Sequence, residues 1–169
     1  MKRKSIWALV LALIGVALYA GNALATPSSG FTGTTLAKAT YGEIFSHVQT
    51  QDPQFWNEVI QTKGASDLYV QQNTWQPGGS TGWHTHPGPS FVIVTQGSVT
   101  TYDGDDPTCT PHVYTAGTAN NAFIDPGGGH VHIIRNETDA VAQTIAVQLI
   151  PAGATRRQDV TPAPGNCPF

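Results

Sequence analysis

From Asp67 onward, apolar and polar positions alternate with a period near two, in short runs rich in Val, Ile, Thr and aromatic residues. "DLYVQQNTW" (67–75), "SFVIVTQGSVTTY" (90–102), "NNAFID" (120–125), "HVHIIRN" (130–136) and "AVAQTIAVQLI" (140–150) are divided by Gly, Pro, Asn and Asp turns. Many short strands of this kind predict an all-β sandwich or barrel. In the last run Val141, Ile145, Val147 and Leu149 share one face and Ala142, Thr144, Ala146 and Gln148 the other, as on a strand with one side on the core. The segment 52–64 fits two patterns. Asp52 and Pro53 resemble a helix start and Gly64 a stop, with Phe55, Trp56, Val59 and Ile60 on one side, whereas Trp56, Glu58 and Ile60 alternate as on a strand.

The amino terminus is organised differently. Lys2, Arg3 and Lys4 precede the apolar stretch "IWALVLALIGVALYAG" and the small residues Ala23 and Ala25, the grammar of a Sec-type export signal cleaved after residue 25. Processing at that point leaves no stable membrane span and places the protein in the periplasm or outside the cell. Residues 26–40, opening with "TPSSGFTGTT", read as a flexible lead-in, and 41–169 as one domain. Loss of 1–25 removes three of the eight basic residues and none of the eleven acids, taking the formal charge from −3 to −6. That balance argues against nucleic acid as a partner. Cys109 and Cys167, an even pair in an oxidising compartment, are expected to form a disulfide that pins the Pro-rich tail "TPAPGNCPF". "DGDDPT" (103–108) lacks the spacing of a calcium loop and reads as a solvated turn. A homodimer through an edge strand is compatible with the sequence.

The strongest chemical signal is a pair of His-x-His motifs, His84/His86 and His130/His132, which hold four of the six histidines. Residues two apart on a strand point to one face, so each motif aims two imidazoles the same way, and a neighbouring strand can add a third ligand. Two such motifs in one β-rich domain favour a metal site over hydrogen-bonded surface histidines.

The surroundings resemble the cupin superfamily. "GGSTGWHTHPGPSFVIVTQG" is similar to its first motif: Gly78, five residues, His84, one, His86, three, Ser90, six, Gly97, with serine where the glutamate ligand usually stands. Gly117 and "DPGGGHVHIIRN" are similar to the second, and the two together cover a motif core of 68–150. The resemblance implies a double-stranded β-helix, the jelly-roll barrel, with metal in its mouth. It implies His84, His86 and His132 as ligands to a divalent transition metal (Zn, Cu, Fe, Ni or Mn). His132 keeps its spacing to Asn136, and His130 stays open as a substitute or supporting ligand.

No Asp, Glu, Lys or Arg occurs from Leu68 to Tyr102, so the sequence offers a three-histidine site without a carboxylate. Such a site keeps the ion's full charge and suits a small anionic ligand. Trp75, Trp83, Phe91, Tyr102 and Phe123 are candidate pocket walls, although aromatics in short strands more often serve the core. Arg135 is a candidate carboxylate clamp of opposite strand parity to His132, which favours an outward position. The implied functions are a metal-dependent enzyme, a dioxygenase or isomerase, and alternatively a non-catalytic module that binds metal or a small ligand.

Overall fold

The computed structural model describes residues 27–169, so the expected export signal at 1–25 lies outside the described residues. Twelve strands follow one another: β1 (Ser29–Tyr41), β2 (Phe45–Thr50), β3 (Trp56–Gln61), β4 (Ser66–Ser80), β5 (His84–Thr85), β6 (Ser90–Gln96), β7 (Ser98–Asp103), β8 (His112–Thr115), β9 (Ala122–Asp125), β10 (His132–Arg135), β11 (Ala142–Pro151) and β12 (Gln158–Asp159). There is no helix among the described residues, and each ladder is antiparallel.

Two walls of strands enclose the interior. One runs β1, β4, β11, β6, β9 and the other β12, β5, β10, β7, β8. They join where the end of β4 meets β10 at Ser80 and Arg135. No ladder joins β8 to β9 among the described residues, so these edges leave a seam. This is the double-stranded β-helix expected from the sequence.

Alternation dictates what faces inward. On β10, His132 and Ile134 point into the barrel while Ile133 and Arg135 point outward. The inner core is Trp75, Val94, Val99, Ile134 and Ala142, with Phe31 and Phe123 packed against it. The outer one is Trp83, Tyr102, Ile133 and Cys167, covered by Val160, Ala163 and Phe169 of the carboxy-terminal tail. The tail is fastened by the Cys109–Cys167 disulfide and by a Val160 N–H donated to the Trp83 carbonyl at 3.0 Å. Burial of an aromatic side chain such as Trp75, fully inaccessible here, contributes on the order of 2–3 kcal/mol.

One reading of the sequence needs correction, and two others are decided or completed by the structure. Residues 29–40 of the supposed flexible lead-in (26–40) form most of β1, paired from Ser29 to Tyr41 with β4, because threonines suit a strand and Phe31 packs on Trp75 with ring centroids 5.0 Å apart. The segment 52–64 takes its strand alternative, since Trp56–Gln61 pairs with β2. On β11 the parity holds, but the buried side is Ala142, Thr144, Ala146, Gln148 and Ile150. Small and polar side chains line the barrel because a cavity must fit there, and Ile145 and Val147 lie half-buried on its outside beside exposed Phe91, Ile93 and Ile124.

Candidate metal centre

The turn that carries the first pair is made by backbone approach. A Cβ at Gly88 would lie 2.2 Å from the Leu149 carbonyl oxygen, and one at Gly127 would lie 2.2 Å from the Gly88 carbonyl oxygen. Glycine at both positions therefore lets the "HPGP" and "DPGGG" turns stack main chain on main chain. His132 is the ladder partner of His84 on β5, so the neighbouring strand delivers the third imidazole as the spacing predicts.

His84, His86 and His132 each offer a ligand nitrogen within 4.8 Å of the others. Their ring centroids are 4.3 Å apart for His84 and His132, 4.8 Å for His84 and His86, and 5.5 Å for His86 and His132. His84 Nδ1 donates to the Gly82 carbonyl at 2.9 Å and His86 Nδ1 to the Arg156 carbonyl at 2.6 Å. A carbonyl only accepts, so each ring carries its proton on Nδ1 and presents a bare Nε2 lone pair, the tautomer a metal needs. Burial holds His84 well below the ordinary imidazole range, and the neighbouring His132 and Arg157 add to this. Burial also lowers His86, and it takes His132 down to about 4 against the opposing pull of Asp125. All three are neutral at pH 7 and ready to ligate.

A carboxylate is present after all. Asp125, the ladder partner of Ser90, is 4% exposed and stands beside the imidazoles. Its Oδ1 accepts from the Gly127 N–H at 3.1 Å and lies 3.5 Å from His132 Nδ1, while its Oδ2 is 3.9 Å from His86 Nε2. Both Asp125 Oδ2 and His132 Nδ1 are buried without a hydrogen-bond partner. Orphaned atoms of this kind are costly in a finished fold, and a cation beside Asp125 would satisfy them. The first motif lacks an acid because the acid comes from the adjacent strand. The signal for it was its place two residues after Phe123, itself a candidate pocket wall.

Two cavities meet at this point. An inner one of about 270 Å³ is lined by the histidine triad, Ser90, Gln71, Gln148, Arg156 and Arg157, among others. An outer one of about 310 Å³ opens on the seam and is lined by Asp103, His112, Tyr114 and His130, among others. Phe123, Asp125 and His132 line both and form the partition. Of the candidate wall residues, Trp75 and Phe123 line the inner cavity. Trp83 and Tyr102 lie in the outer core, and Phe91 is 52% exposed on the outside of β6, so these three do not serve as walls. Ser90 is buried and its hydroxyl accepts from Gln148 Nε2 at 3.1 Å. Arg135 is bound to Glu137 at 3.2 Å and lies over the Phe169 ring, outside the cavity. Asp106 of "DGDDPT" spends its carboxylate on the Thr108 and Thr110 N–H groups at 2.8 and 2.7 Å, as a solvated turn does.

The cationic side of the inner cavity comes from Arg156 and Arg157, which strand patterns gave no reason to select because they lie in an irregular tail. Arg156 donates to Gln148 Oε1 at 3.1 Å and to Thr35 Oγ1 at 3.2 Å, bonds Gln71, and stacks 4.3 Å over the Tyr69 ring. Burial lowers its pKa without threatening its charge.

A family model described as a cupin domain matches residues 73–148. No curated protein matches the chain. Among solved structures, a cupin-2 domain protein of Rhodospirillum rubrum is similar over 80% of this chain and 69% of its own, at 14% identity and a TM-score of 0.48. A cupin superfamily protein of Desulfitobacterium hafniense overlaps 69% of this chain and 81% of its own at 11% identity and a TM-score of 0.41. The polyketide cyclase RemF of Streptomyces resistomycificus overlaps 57% and 64% at 18% identity and a TM-score of 0.45. Overlaps this partial carry nothing about the chemistry of this chain.

Proposed function

The chain belongs to the cupin superfamily, and on that premise we propose that it is an exported metal-dependent enzyme acting on a small anionic molecule. His84, His86 and His132 would hold a divalent transition metal, and Asp125 would offset part of its charge. The observation that carries this reading is the pair of main-chain carbonyls, of Gly82 and Arg156, that fix His84 and His86 with bare Nε2 atoms turned to one point. Bound there, the ion supplies Lewis acidity to an oxygen-rich ligand and, where it is redox-active, electrons to dioxygen.

The chain's own residues do the rest. The fields of Arg156 and Arg157 favour an anionic group in the inner cavity, and the amides of Gln71, Asn73 and Gln148 orient it. Trp75, Val92, Phe123 and Ile134 exclude water from the opposite side. At about 270 Å³ the cavity is below the usual range for drug-sized ligands and fits a compact metabolite. Dioxygenase and isomerase chemistry both suit this arrangement. The Cys109–Cys167 bond suits an oxidising compartment, consistent with export. A module that only stores metal is the second reading, favoured by the burial of His84 and His132, each 3% exposed.

Elemental analysis of protein secreted from the full-length sequence is expected to find a transition metal that the His84→Ala/His86→Ala variant loses. Equal metal content in the two would overturn the assignment. Metal without oxygen consumption or isomerisation across a panel of keto acids, diketones, phenols and sugar acids would select the storage reading.

A further inference from the structure

The outer cavity holds a cluster of which a single inner ion uses only His132 as a ligand. Asp125 Oδ1 lies 3.3 Å from His130 Nδ1 and 3.5 Å from His132 Nδ1, and these three residues form a second group whose ligand atoms all fall within 4.8 Å of one another. On the far side of the His130 ring, Nε2 is 3.3 Å from Asp103 Oδ1, and Asp103 Oδ2 is 3.9 Å from His112 Nε2.

In the metal-free protein His130 Nδ1 donates to Asp125 Oδ1 at 3.3 Å, so a ladder of hydrogen bonds running inward from the surface accounts for that contact but not for the buried His132 Nδ1. Good hydrogen bonds to nitrogen span about 2.7–3.2 Å. Two ligands held about 2.0–2.2 Å from a shared cation lie roughly 2.8–3.6 Å apart, because the angle between them is 90–109°. The separations of 3.3 and 3.5 Å both lie within that span, and His132 Nδ1, buried without a hydrogen-bond partner, is the atom that a cation there would satisfy. Asp103 completes the pattern. By accepting the Nε2 proton of His130 it would leave the Nδ1 lone pair free to face Asp125, the carboxylate-to-histidine support that ligating imidazoles commonly have.

We propose that the centre has a second divalent-cation position, on the seam side of Asp125, formed by Asp125, His130 and His132 and backed by Asp103. Asp125 lies between the positions, with Oδ1 on the outer side and Oδ2 toward His86 on the inner side. Both groups contain His132, and a neutral imidazole has one lone pair to give. In the doubly loaded protein it serves one ion while the other keeps its remaining ligands and water. The outer cavity gives this position its own path to solvent past Pro126 and Tyr114.

The proposal extends the inner-site reading, so the test counts ions at each position separately. Full-length secreted protein, stripped with chelator and titrated with Zn²⁺ under calorimetry and equilibrium dialysis, is expected to bind two equivalents. His130→Ala and His84→Ala/His86→Ala are each expected to bind one, the inner and the outer ion respectively. One equivalent in the wild type, or two in His130→Ala, overturns the second position. An unchanged count in His84→Ala/His86→Ala overturns the inner-site reading instead. Because His130→Ala removes the Asp103 contact, His130→Gln is the companion variant, and it too should drop to one. Cu²⁺-loaded wild type should show the spin-coupled resonance of two close ions, and His130→Gln an isolated one. An isolated signal in both overturns the proposal.

Discussion

His84 and His86 turn their Nδ1 atoms to the main-chain carbonyls of Gly82 and Arg156, whereas His130 and His132 turn theirs toward the carboxylate of Asp125. A carbonyl is uncharged and fixed by the fold, so the first pair keeps its tautomer for as long as the rings stay neutral and the backbone stays in place. One of those carbonyls belongs to the carboxy-terminal tail. A carboxylate is charged and free to bind a cation, which makes the second pair sensitive to charge, while its link to the tail is indirect, through Asn166 Nδ2 donating to the Asp103 carbonyl at 2.8 Å. Two motifs with the same spelling thus depend on different parts of the molecule, and each dependence can be broken separately.

The largest effect is expected from releasing the tail. The Cys109–Cys167 bond spans a sequence separation of 58, which in the chain-entropy model contributes about 4 kcal/mol. Cys109→Ala/Cys167→Ala should therefore shift the urea midpoint by an amount equivalent to about 4 kcal/mol and loosen the His86 to Arg156 contact, with a smaller effect on His130, whose partner Asp103 meets the tail through Asn166. A loss below about 1 kcal/mol would mean that packing around Trp83 and Phe169 holds the tail unaided.

Acid is expected to act next, on the metal-free protein. Unfolded imidazoles titrate near 6.5, while burial keeps His84 well below that and His132 at about 4. Between those values the unfolded chain takes up protons that the folded one refuses. Stability is complete above pH 6.5 and falls as pH drops toward 4, by up to roughly 3 kcal/mol for His132 alone. Urea midpoints in chelator at pH 7, 6, 5 and 4 should trace that decline, and His132→Gln should flatten it. A flat wild-type profile would refute the burial of these rings as neutral groups.

The first pair was legible in the sequence and the second only half so, for a physical reason. Spacing along the chain is a local property, which is why the convergence of His84 on β5 with His86 just past its end, and the barrel implied by the short runs, were readable from it. Register between strands is not local. Nothing in "SFVIV" or "AFID" says that Ser90 and Asp125 are opposed, so an uncharged first motif looked like a site without a carboxylate. Arg156 escaped notice because irregular tails have no period to read. Ala142, Thr144, Ala146 and Gln148 face inward because the barrel encloses a cavity, and a rule that puts the largest apolar face on the core does not anticipate a core with a hole in it.

That missing register suggests the finest test of the comparison. Asp125→Asn keeps shape and removes charge, and is expected to weaken metal binding about 10- to 100-fold, the range found when a supporting carboxylate is lost. Ser90 is buried, opposes Asp125 in the ladder and shares the inner cavity with it, so Ser90→Glu in the Asp125→Asn background would return a carboxylate from the usual strand. The adjoining space of about 270 Å³ takes the longer side chain, and Gln148 Nε2, now given to the serine hydroxyl, can donate to the new carboxylate. Zn²⁺ affinity of the double variant should recover by several-fold over Asp125→Asn, short of the wild type because the outer group still lacks its anion. Recovery requires the carboxylate to matter through its charge beside the imidazoles. If Ser90→Glu leaves the affinity where Asp125→Asn put it, Asp125 acts through the shape of the "DPGGG" turn, and the second pair is held by backbone just as the first is.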